Sequence, residues 1–246
     1  MMMPGTPIVV LGRNRHLAWA ATTAYADMQD VYLEKLDPES LAEAFEDARK
    51  MGPGWKKRGG STDGSGKKII DCGLKNVELL THKVNLGKGA AMKTGADYAF
   101  SHGADAIIFI DADGQHEPED LAKFVRKLES GKHDVVFGSR NFGYGVPLIR
   151  YIGNKFASVI ISSLFRIYVS DVICGYRGIT RKAYEKIKWE SSGYGVETEM
   201  VIKTGRNKLS FCEVPVETIY HDKTKGVTVL DAFGILGDVL KWKLSK

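Results

Sequence analysis

Apolar residues along this chain come in short runs, and amphipathic stretches separate most of them. Short apolar runs predict buried strands, whereas apolar residues that recur every three to four positions predict helices. Strands are predicted at residues 8–11, 76–81, 107–110 and 134–140. Helices are predicted at 17–50, where a second helix opens at 37, and at 88–103, 117–128 and 147–169. This alternation predicts an α/β fold with a mostly parallel, Rossmann-like sheet and right-handed crossovers.

The regular alternation of predicted strands and helices stops after residue 140. Segment 52–66 is polar, basic and glycine-rich, and 170–181 is a turn segment, so both are predicted as loops. Residues 209–221 predict an edge strand, because Pro215 lacks the N–H that a central strand needs. An amphipathic helix is predicted over 229–246. Two placements stay open for it, on an anionic membrane surface or against the protein core.

Two carboxylates follow the predicted strand at 107–110. Asp111 and Asp113 are two residues apart, so their side chains point the same way at the carboxyl edge of the sheet, where open α/β sheets hold ligands. Mg²⁺ typically takes one or two protein carboxylates and leaves its other positions to water and phosphates. The pair therefore predicts a divalent cation site. The alternative is a turn at Asp113 and Gly114, with Asp111 as a helix-capping residue.

Basic residues are predicted on both sides of this pair. Lys88 lies between glycines at a helix start, where backbone N–H groups and one cation can face a phosphate, although an ordinary glycine turn is the alternative. Arg140 is the last residue of the strand predicted at 134–140. The alternative interpretation is that it is an ordinary surface arginine. We expect these cations and the metal at the ends of three successive strands. They would stabilise a diphosphate leaving group, which indicates transfer from a nucleotide-activated substrate.

Composition narrows the class of protein only slightly. The 246 residues are 43% hydrophobic and 26% charged, as in ordinary soluble proteins, and the net charge of +5 weakly favours anionic partners. We expect no nucleic-acid partner. The three cysteines form no CxxC pair, so neither a zinc site nor a disulfide framework is predicted, and a reducing, cytoplasmic setting is expected. No signal peptide is predicted, and the apolar stretch 156–169 is too short to cross a bilayer.

An ordered set of motifs over residues 61–228 resembles glycosyltransferase family 2, particularly its polyprenyl-phosphate branch, the dolichyl-phosphate mannose and glucose synthases. The motifs are, in order, NLGKGAA, IDADGQHEP, DVVFGSR, the following Arg150, DVICGYRG, ETEM and EVPV. The resemblance implies a single GT-A domain over 1–228, ahead of the helix at 229–246. It also implies a GDP- or UDP-linked sugar donor, a polyprenyl-phosphate acceptor, Mg²⁺ or Mn²⁺, and inversion at the anomeric carbon.

The same resemblance assigns roles residue by residue. Asp111 and Asp113 would hold the metal, with Gln115 as a further ligand, and Lys88 would lie near the nucleotide-sugar. The expected acceptor-phosphate residues are Arg140, Arg150 and Lys223, and the expected catalytic set is Asp111, Asp113 and Arg140. A phosphate acceptor needs no general base. If the acceptor were a sugar hydroxyl, Glu197 or Glu199 would be the base; the alternative for both is a charged pair on the first turn of a helix. Asp171 is predicted as a turn or capping residue.

The N-terminal quarter, residues 15–66, departs from the family pattern. Gly12 replaces a family proline, and Lys56 to Gly59 stand where a strand ending in paired aspartates is expected. Arg13 and Asp63 remain as candidates for the nucleotide-sugar side. Loss of one buried charged contact to a nucleotide costs about 2–3 kcal/mol, or roughly 100-fold in affinity. The segment is a divergent insertion, a scrambled stretch or the mark of an inactive relative, and the sequence does not choose among them.

Three functions follow from these observations. The first is metal-dependent transfer of a hexose from a nucleotide-sugar to a polyprenyl phosphate, at the cytoplasmic side and with peripheral membrane contact. The second is a non-catalytic relative that binds a nucleotide or a membrane surface. The third is a haloacid-dehalogenase-like phosphatase, which also places DxDG after an apolar strand. In that class the motif lies near the chain start and a second aspartate pair follows, and this sequence has neither feature.

Overall fold

The computed structural model describes residues 10–13, 17–21, 30–35, 77–81, 86–111, 116–140, 148–193 and 195–217, and also Gly237, Val239, Trp242 and Lys243. Eight strands form one sheet. They are β1 Val10–Arg13, β2 Leu17–Ala21, β3 Asp30–Lys35, β4 Val77–Thr81, β5 Ala106–Ile110, β6 Val135–Arg140, β7 Arg177–Thr180 and β8 Phe211–Val216. The α-helices are α1 Lys88–Ser101, α2 Leu121–Glu129, α3 Leu148–Phe165, α4 Arg181–Ile187 and α5 Val196–Arg206, and a 3₁₀ turn at Pro118–Asp120 precedes α2.

The sheet is mixed. Its strand order is β4-β3-β1-β2-β5-β7-β6-β8. The pairs β1/β3, β2/β5 and β6/β8 are parallel, and the other four pairs in the described sheet are antiparallel. The α/β class is confirmed, whereas the expectation of a mostly parallel sheet is wrong, because β7 inserts antiparallel between β5 and β6. Strands β5 and β6 still run in one direction, so their carboxyl ends share an edge.

Most elements from residue 76 onward are confirmed within a few residues. The exceptions are β7, α4 and α5, which occupy segments predicted as turn or left unassigned, and the end of α3 at Phe165. Helix α3 stops short of 169 because Arg166 adopts a left-handed backbone conformation, with φ of 58°. Strand β8 is at the sheet edge, as Pro215 predicted.

The predicted helical region 17–50 is wrong where the structure describes it. Residues 17–21 and 30–35 are strands β2 and β3. The sequence DVYLEK of β3 contains the short apolar run Val31 to Leu33, and its Val and Tyr favour a strand over a helix. Strand β2 pairs with β5 in parallel, from Leu17 beside Ala106 to Ala21 beside Ile110. The second helix predicted from 37 lies outside the described residues.

The strand that precedes Asp111 is buried on both faces. Ile107 and Phe109 pack into a cluster with residues of α1, α3, α4 and α5, whereas Ala106, Ile108 and Ile110 pack into a second cluster with α2. Alternate side chains of a strand point to opposite faces, so a continuous apolar run is what a sheet covered on both sides requires. β5 is therefore a rigid support for the residue at its end.

Near the C-terminus, the four described residues are helical and at least two of them face the protein. Val239 is buried in the cluster that includes α3 and α5, and Trp242 packs against it. Lys243 Nζ donates to the carbonyl of Leu164 at 2.7 Å. These contacts favour packing against the core over a membrane surface for these residues. Within the described part of the chain, no helix is both long enough and apolar enough to span a bilayer.

Candidate active site

Asp111 and Arg140 lie at the carboxyl ends of β5 and β6, on one edge of the sheet, with β7 between the two strands. Lys88 reaches this edge from the first residue of α1. The expectation that three adjacent strands would supply the three residues is wrong, because β4, the strand before α1, is separated from β5 by β3, β1 and β2. Lys88 nevertheless contacts Asp111.

Lys88 forms two ion pairs at the end of β5. Its ammonium Nζ lies 2.6 Å from Asp111 Oδ1 and 2.5 Å from Glu197 Oε1. The side chains of Lys88 and Glu197 are each 5% exposed and that of Asp111 is 18% exposed, so solvent reaches Asp111 best. Burial lowers the pKa of Lys88, but the two carboxylates outweigh that effect and the net shift is upward. Lys88 therefore stays charged, and this cluster carries two negative charges and one positive charge.

The glycines beside Lys88 allow another backbone segment to approach. A Cβ atom at Gly87 or Gly89 would overlap the carbonyl oxygen of Ser192 or Ser191, and Gly87 has a left-handed φ of 86°. The N–H groups of Gly89 and Ala90 both donate to Ser192 O, at 2.7 and 3.3 Å. The prediction that these N–H groups face a phosphate is therefore wrong, since a backbone carbonyl already occupies them.

Glu199 holds that approaching segment in place. It is 1% exposed, and its Oε1 accepts from the N–H of Glu190 and pairs with Lys203 Nζ at 2.8 Å, while Oε2 accepts from the N–H of Ser191. Burial raises the pKa of Glu199, but these hydrogen bonds lower it by a larger amount. The net pKa is therefore lowered, and the carboxylate is held in its charged form. Such a carboxylate is poorly suited to be a general base. Both Glu197 and Glu199 lie on the first turn of α5, as their alternative interpretation stated, but buried.

Arg140 is held by a buried aspartate. Its Nε and Nη2 donate to the two carboxylate oxygens of Asp171, at 2.6 and 2.8 Å, and Asn154 on α3 donates to the same carboxylate at 3.0 Å. Asp171 is fully buried. Burial raises its pKa, but the Arg140 guanidinium and these hydrogen bonds lower it more. Asp171 directly precedes a turn at residues 172–173, as predicted, and its carboxylate is the ion-pair partner of Arg140, which was not predicted.

The loop between α3 and β7 joins the two ends of the site. Asp171 near its start holds Arg140, and Gly175 near its end faces Asp111, where a Cβ atom would overlap the carboxylate. Arg177, 1% exposed, donates from Nε to Cys174 O at 2.8 Å, from Nη1 to Glu197 O at 2.7 Å and from Nη2 to Val172 O. Neither Gly175 nor Arg177 is among the site residues predicted from the sequence. Their signal is the motif DVICGYRG, which directly follows Ser170.

The described residues include one of the predicted carboxylate ligands for a divalent cation, Asp111. Asp111 supplies a hard carboxylate ligand at the ligand-binding edge, and Gly175 packs so closely against that carboxylate that a Cβ atom would overlap it. In the stretches described, no group of three His, Cys, Asp or Glu side chains could hold a metal. The remaining predicted ligands, Asp113 and Gln115, lie outside those stretches. One or two carboxylates suffice for Mg²⁺ when substrate phosphates complete the shell, so the donor set is compatible with that ion.

Several other predicted residues cannot be placed from their side chains. Arg13 is the last residue of β1 and Arg150 lies in α3, but only their backbone is described. Asp63 and Lys223 lie outside the described residues. The roles predicted for these four residues therefore stay predictions.

The fold is that of the GT-A class. Among solved structures, the chain is similar to glucosyl-3-phosphoglycerate synthase from Mycobacterium tuberculosis in complex with Mn²⁺, uridine diphosphate and phosphoglyceric acid, with a TM-score of 0.59 and 15% identity over 98% of this chain and 79% of that one. The same enzyme with Mg²⁺ and uridine diphosphate gives a TM-score of 0.56 over 76% of this chain and 66% of that one, also at 15% identity. At this identity the likeness concerns the fold alone.

Sequence comparison identifies the family. The model of glycosyl transferase family 2 matches residues 58–188, so the chain belongs to that family and is a glycosyltransferase. It is 33% identical, over 69% of its length and 71% of the relative, to the UDP-N-acetylglucosamine–dolichyl-phosphate N-acetylglucosaminyltransferase of Methanococcus voltae. It is 28% identical to the polyprenol monophosphomannose synthase of Mycolicibacterium smegmatis, over 72% and 69%. The resemblance to the polyprenyl-phosphate branch is thus confirmed, and the phosphatase alternative is wrong.

The first 56 residues match the model of a different family. Residues 1–56 match the model of the penicillin amidase family, and the family 2 match begins only at residue 58. This boundary falls within the region whose sequence departs from the family pattern, residues 15–66.

Proposed function

We propose that this chain transfers a hexose or N-acetylhexosamine from a GDP- or UDP-linked donor to a polyprenyl or dolichyl phosphate, with inversion at the anomeric carbon. The observation that carries the proposal is the placement of Asp111, with Lys88 and Glu197, and of Arg140, with Asp171, on one edge of the sheet. The first cluster has an excess of negative charge and suits a cation, and the second presents a guanidinium suited to a phosphate. The named relatives transfer sugars to dolichyl phosphate or make polyprenol monophosphomannose.

On the donor side, Asp111 would hold Mg²⁺ or Mn²⁺ together with Asp113 and Gln115. The bound ion would offset the negative charge that develops on the nucleoside diphosphate leaving group. Lys88 holds Asp111 at the end of β5 and keeps a permanent positive charge beside it. The rigid support of β5 and the ion pair with Lys88 together fix the carboxylate before the donor binds, which avoids reorganisation during the reaction.

On the acceptor side, Arg140 would bind the phosphate of the lipid, with Arg150 and Lys223 as further cations. Asp171 accepts hydrogen bonds from Nε and Nη2 of the Arg140 guanidinium and so sets its orientation. A phosphate monoester is anionic at neutral pH and attacks without prior deprotonation, so the reaction needs no general base. This agrees with the environment of Glu199, whose two oxygens are both engaged.

We also propose peripheral contact with the membrane through α3. Phe156 and Val159 are 62% and 56% exposed and lie three residues apart, on one face of the helix. The opposite face is buried through Asn154, Ser158 and Ile161. An exposed apolar strip on the same helix as Arg150 would let the lipid phosphate reach the site while its chain stays in the bilayer.

The test is a transfer assay with purified protein. GDP-mannose, UDP-glucose and UDP-N-acetylglucosamine would each be incubated with a short-chain polyprenyl phosphate and Mn²⁺, and glycolipid formation followed by mass spectrometry. We expect one donor to give a polyprenyl phosphosugar, and EDTA to abolish the product. Absence of product with every donor, in protein that binds none of them, would contradict the proposal.

A second candidate is a relative that binds its ligands without transfer. The observation that favours it is the match of residues 1–56 to the penicillin amidase family, because the resemblance to family 2 implies nucleotide contacts in the N-terminal part of the chain. Calorimetry with GDP and with UDP, each with Mn²⁺, separates the two candidates. Binding without transfer would favour the second candidate, and binding with transfer would rule it out.

A further inference from the structure

We infer that Arg177 is a positioning residue that sets both walls of the Asp111 site. This inference rests on the proposed function, since it concerns the cation that Asp111 would hold. Among the described residues, Arg177 forms no hydrogen bond with Asp111. Its three hydrogen bonds go to backbone carbonyls of two separate segments. One segment carries Gly175, which faces Asp111, and the other carries Glu197, which pairs with the Lys88 that contacts Asp111.

The first wall is the loop between α3 and β7. Arg177 donates to the carbonyls of Val172 and Cys174, which lie just before Gly175. Gly175 in turn faces the Asp111 carboxylate so closely that a Cβ atom would overlap it. A shift of this loop would therefore push Gly175 onto the carboxylate or open a gap beside it.

The second wall is the first turn of α5. Arg177 Nη1 donates to the backbone carbonyl of Glu197 at 2.7 Å. The side chain of Glu197 pairs with Lys88, and Lys88 pairs with Asp111. The guanidinium thus fixes the helix turn from which one partner of Lys88 projects.

The position of Arg177 suits this role. It is the first residue of β7, where it lies beside Phe109 of β5 and Phe137 of β6, and its guanidinium lies 5.2 Å from the Phe137 ring centroid. Burial lowers its pKa, and nearby Glu197, Asp171 and Asp111 oppose that shift. A guanidinium offers five donors in a fixed plane, whereas a lysine ammonium is a single point with three donors. Lysine cannot hold all three carbonyls in the same geometry.

The experiment measures Mn²⁺ affinity in the full 246-residue chain by electron paramagnetic resonance of free Mn²⁺, with and without UDP or GDP. We expect Arg177→Lys to raise the Kd for Mn²⁺ by about 10- to 100-fold, as is usual for residues that orient metal ligands. Because positioning rather than chemistry is lost, transfer activity should recover towards wild type at saturating Mn²⁺.

Arg181→Lys is the matched control. Arg181 follows the far end of β7, donates to the carbonyl of Ala104 at 2.5 Å and lies 5.3 Å from the Phe100 ring centroid, away from the site. It should keep a wild-type Kd for Mn²⁺ within about twofold, even where its Tm falls as much as that of Arg177→Lys. Equal weakening of Mn²⁺ binding in both variants would reduce Arg177 to a stability role and overturn the inference.

A second variant covers the case in which Arg177→Lys does not fold. Gly175→Ala keeps the Arg177 side chain but brings a Cβ atom onto the Asp111 carboxylate, so the loop or the carboxylate must shift and Mn²⁺ binding should also weaken at least about tenfold. Wild-type Mn²⁺ affinity in either folded variant would overturn the inference.

The wild-type protein and Asp111→Asn separate this outcome from failure of the proposed function. If wild type binds Mn²⁺ through Asp111 but Arg177→Lys binds it equally well, only the inference fails. If wild type binds no Mn²⁺, the proposed metal-dependent function and the inference fail together.

Discussion

The carboxyl ends of β5 and β6 lie on the same edge of the sheet, on either side of β7, yet they hold different arrangements of charge. At β5, one ammonium, Lys88, lies between two carboxylates, Asp111 and Glu197. At β6, one guanidinium, Arg140, is matched by one carboxylate, Asp171, with the amide of Asn154 beside it. Counted by these ion pairs, the first cluster has one carboxylate more than it has cations and the second is balanced, and the buried guanidinium of Arg177 lies near the carboxylates of both.

This difference explains why the same sheet edge suits two different ligands. An excess negative charge near solvent attracts a further cation, and Asp111, the most exposed member of its cluster, is where that cation would bind. The neutral cluster instead fixes the orientation of a guanidinium, and an oriented guanidinium suits an oxyanion. The mutations below test whether the two ends are independent, in order of expected effect.

Asp111→Asn should have the largest effect. It removes the charge that Lys88 and the cation share, so we expect transfer activity to fall by more than about 100-fold and Mn²⁺ binding to weaken in parallel. The matched control is Asp105→Asn, because Asp105 is an exposed aspartate just before the other end of β5. Activity within a fewfold of wild type in Asp111→Asn would show that the β5 end is not the donor site.

Asp171→Asn should affect the acceptor end and leave the metal end unchanged. Breaking a buried ion pair costs about 3–5 kcal/mol of stability, and Asn, which keeps one acceptor oxygen, should fall at the lower end. The loosened guanidinium should raise the KM for polyprenyl phosphate by about 10- to 100-fold, with the Kd for Mn²⁺ unchanged. Asp134→Asn, at the amino end of β6, is the control. A parallel rise in the Kd for Mn²⁺ would show that the two ends are coupled.

The same pair predicts a pH dependence of stability. The pKa of Asp171 is lowered below its usual value of 3.8 by Arg140 and its hydrogen bonds, which outweigh the opposing effect of burial. A carboxyl group with a lowered pKa stabilises the fold above its unfolded pKa and loses that contribution as the pH falls through the folded pKa. The difference in free energy of unfolding between wild type and Asp171→Asn should therefore be constant above about pH 5 and shrink below about pH 4. Denaturant titrations at several pH values would measure it, and a difference that grows towards acid would contradict the assignment.

The site was predictable where its chemistry is local in sequence. The apolar run at 107–110 directly precedes Asp111, the glycines around Lys88 mark the start of α1, and Arg140 ends its own strand, so pattern and spacing were sufficient. The partners of these residues were not predictable, because Glu197 and Asp171 meet them only after β7 inserts between β5 and β6. β7 has four residues, two of them Arg177 and Gly178, and gives no strand signal by periodicity. For the same reason, the sequence around these two buried carboxylates indicated a helix turn or a capping position.

The smallest predicted effect concerns α3 and the membrane. If Phe156 and Val159 enter the bilayer surface, the double variant Phe156→Ser with Val159→Ser should lower partitioning to anionic vesicles by roughly 10- to 100-fold, since partial burial of each of the two side chains contributes about 1 kcal/mol. Transfer to a short, water-soluble isoprenyl phosphate should stay unchanged, because Asn154 and Ser158 on the opposite face of α3 are untouched. Tyr168→Ser is the control, as Tyr168 is 48% exposed and lies beyond the end of α3. Vesicle flotation measures the partitioning, and equal flotation of wild type and the double variant would leave α3 without a membrane role.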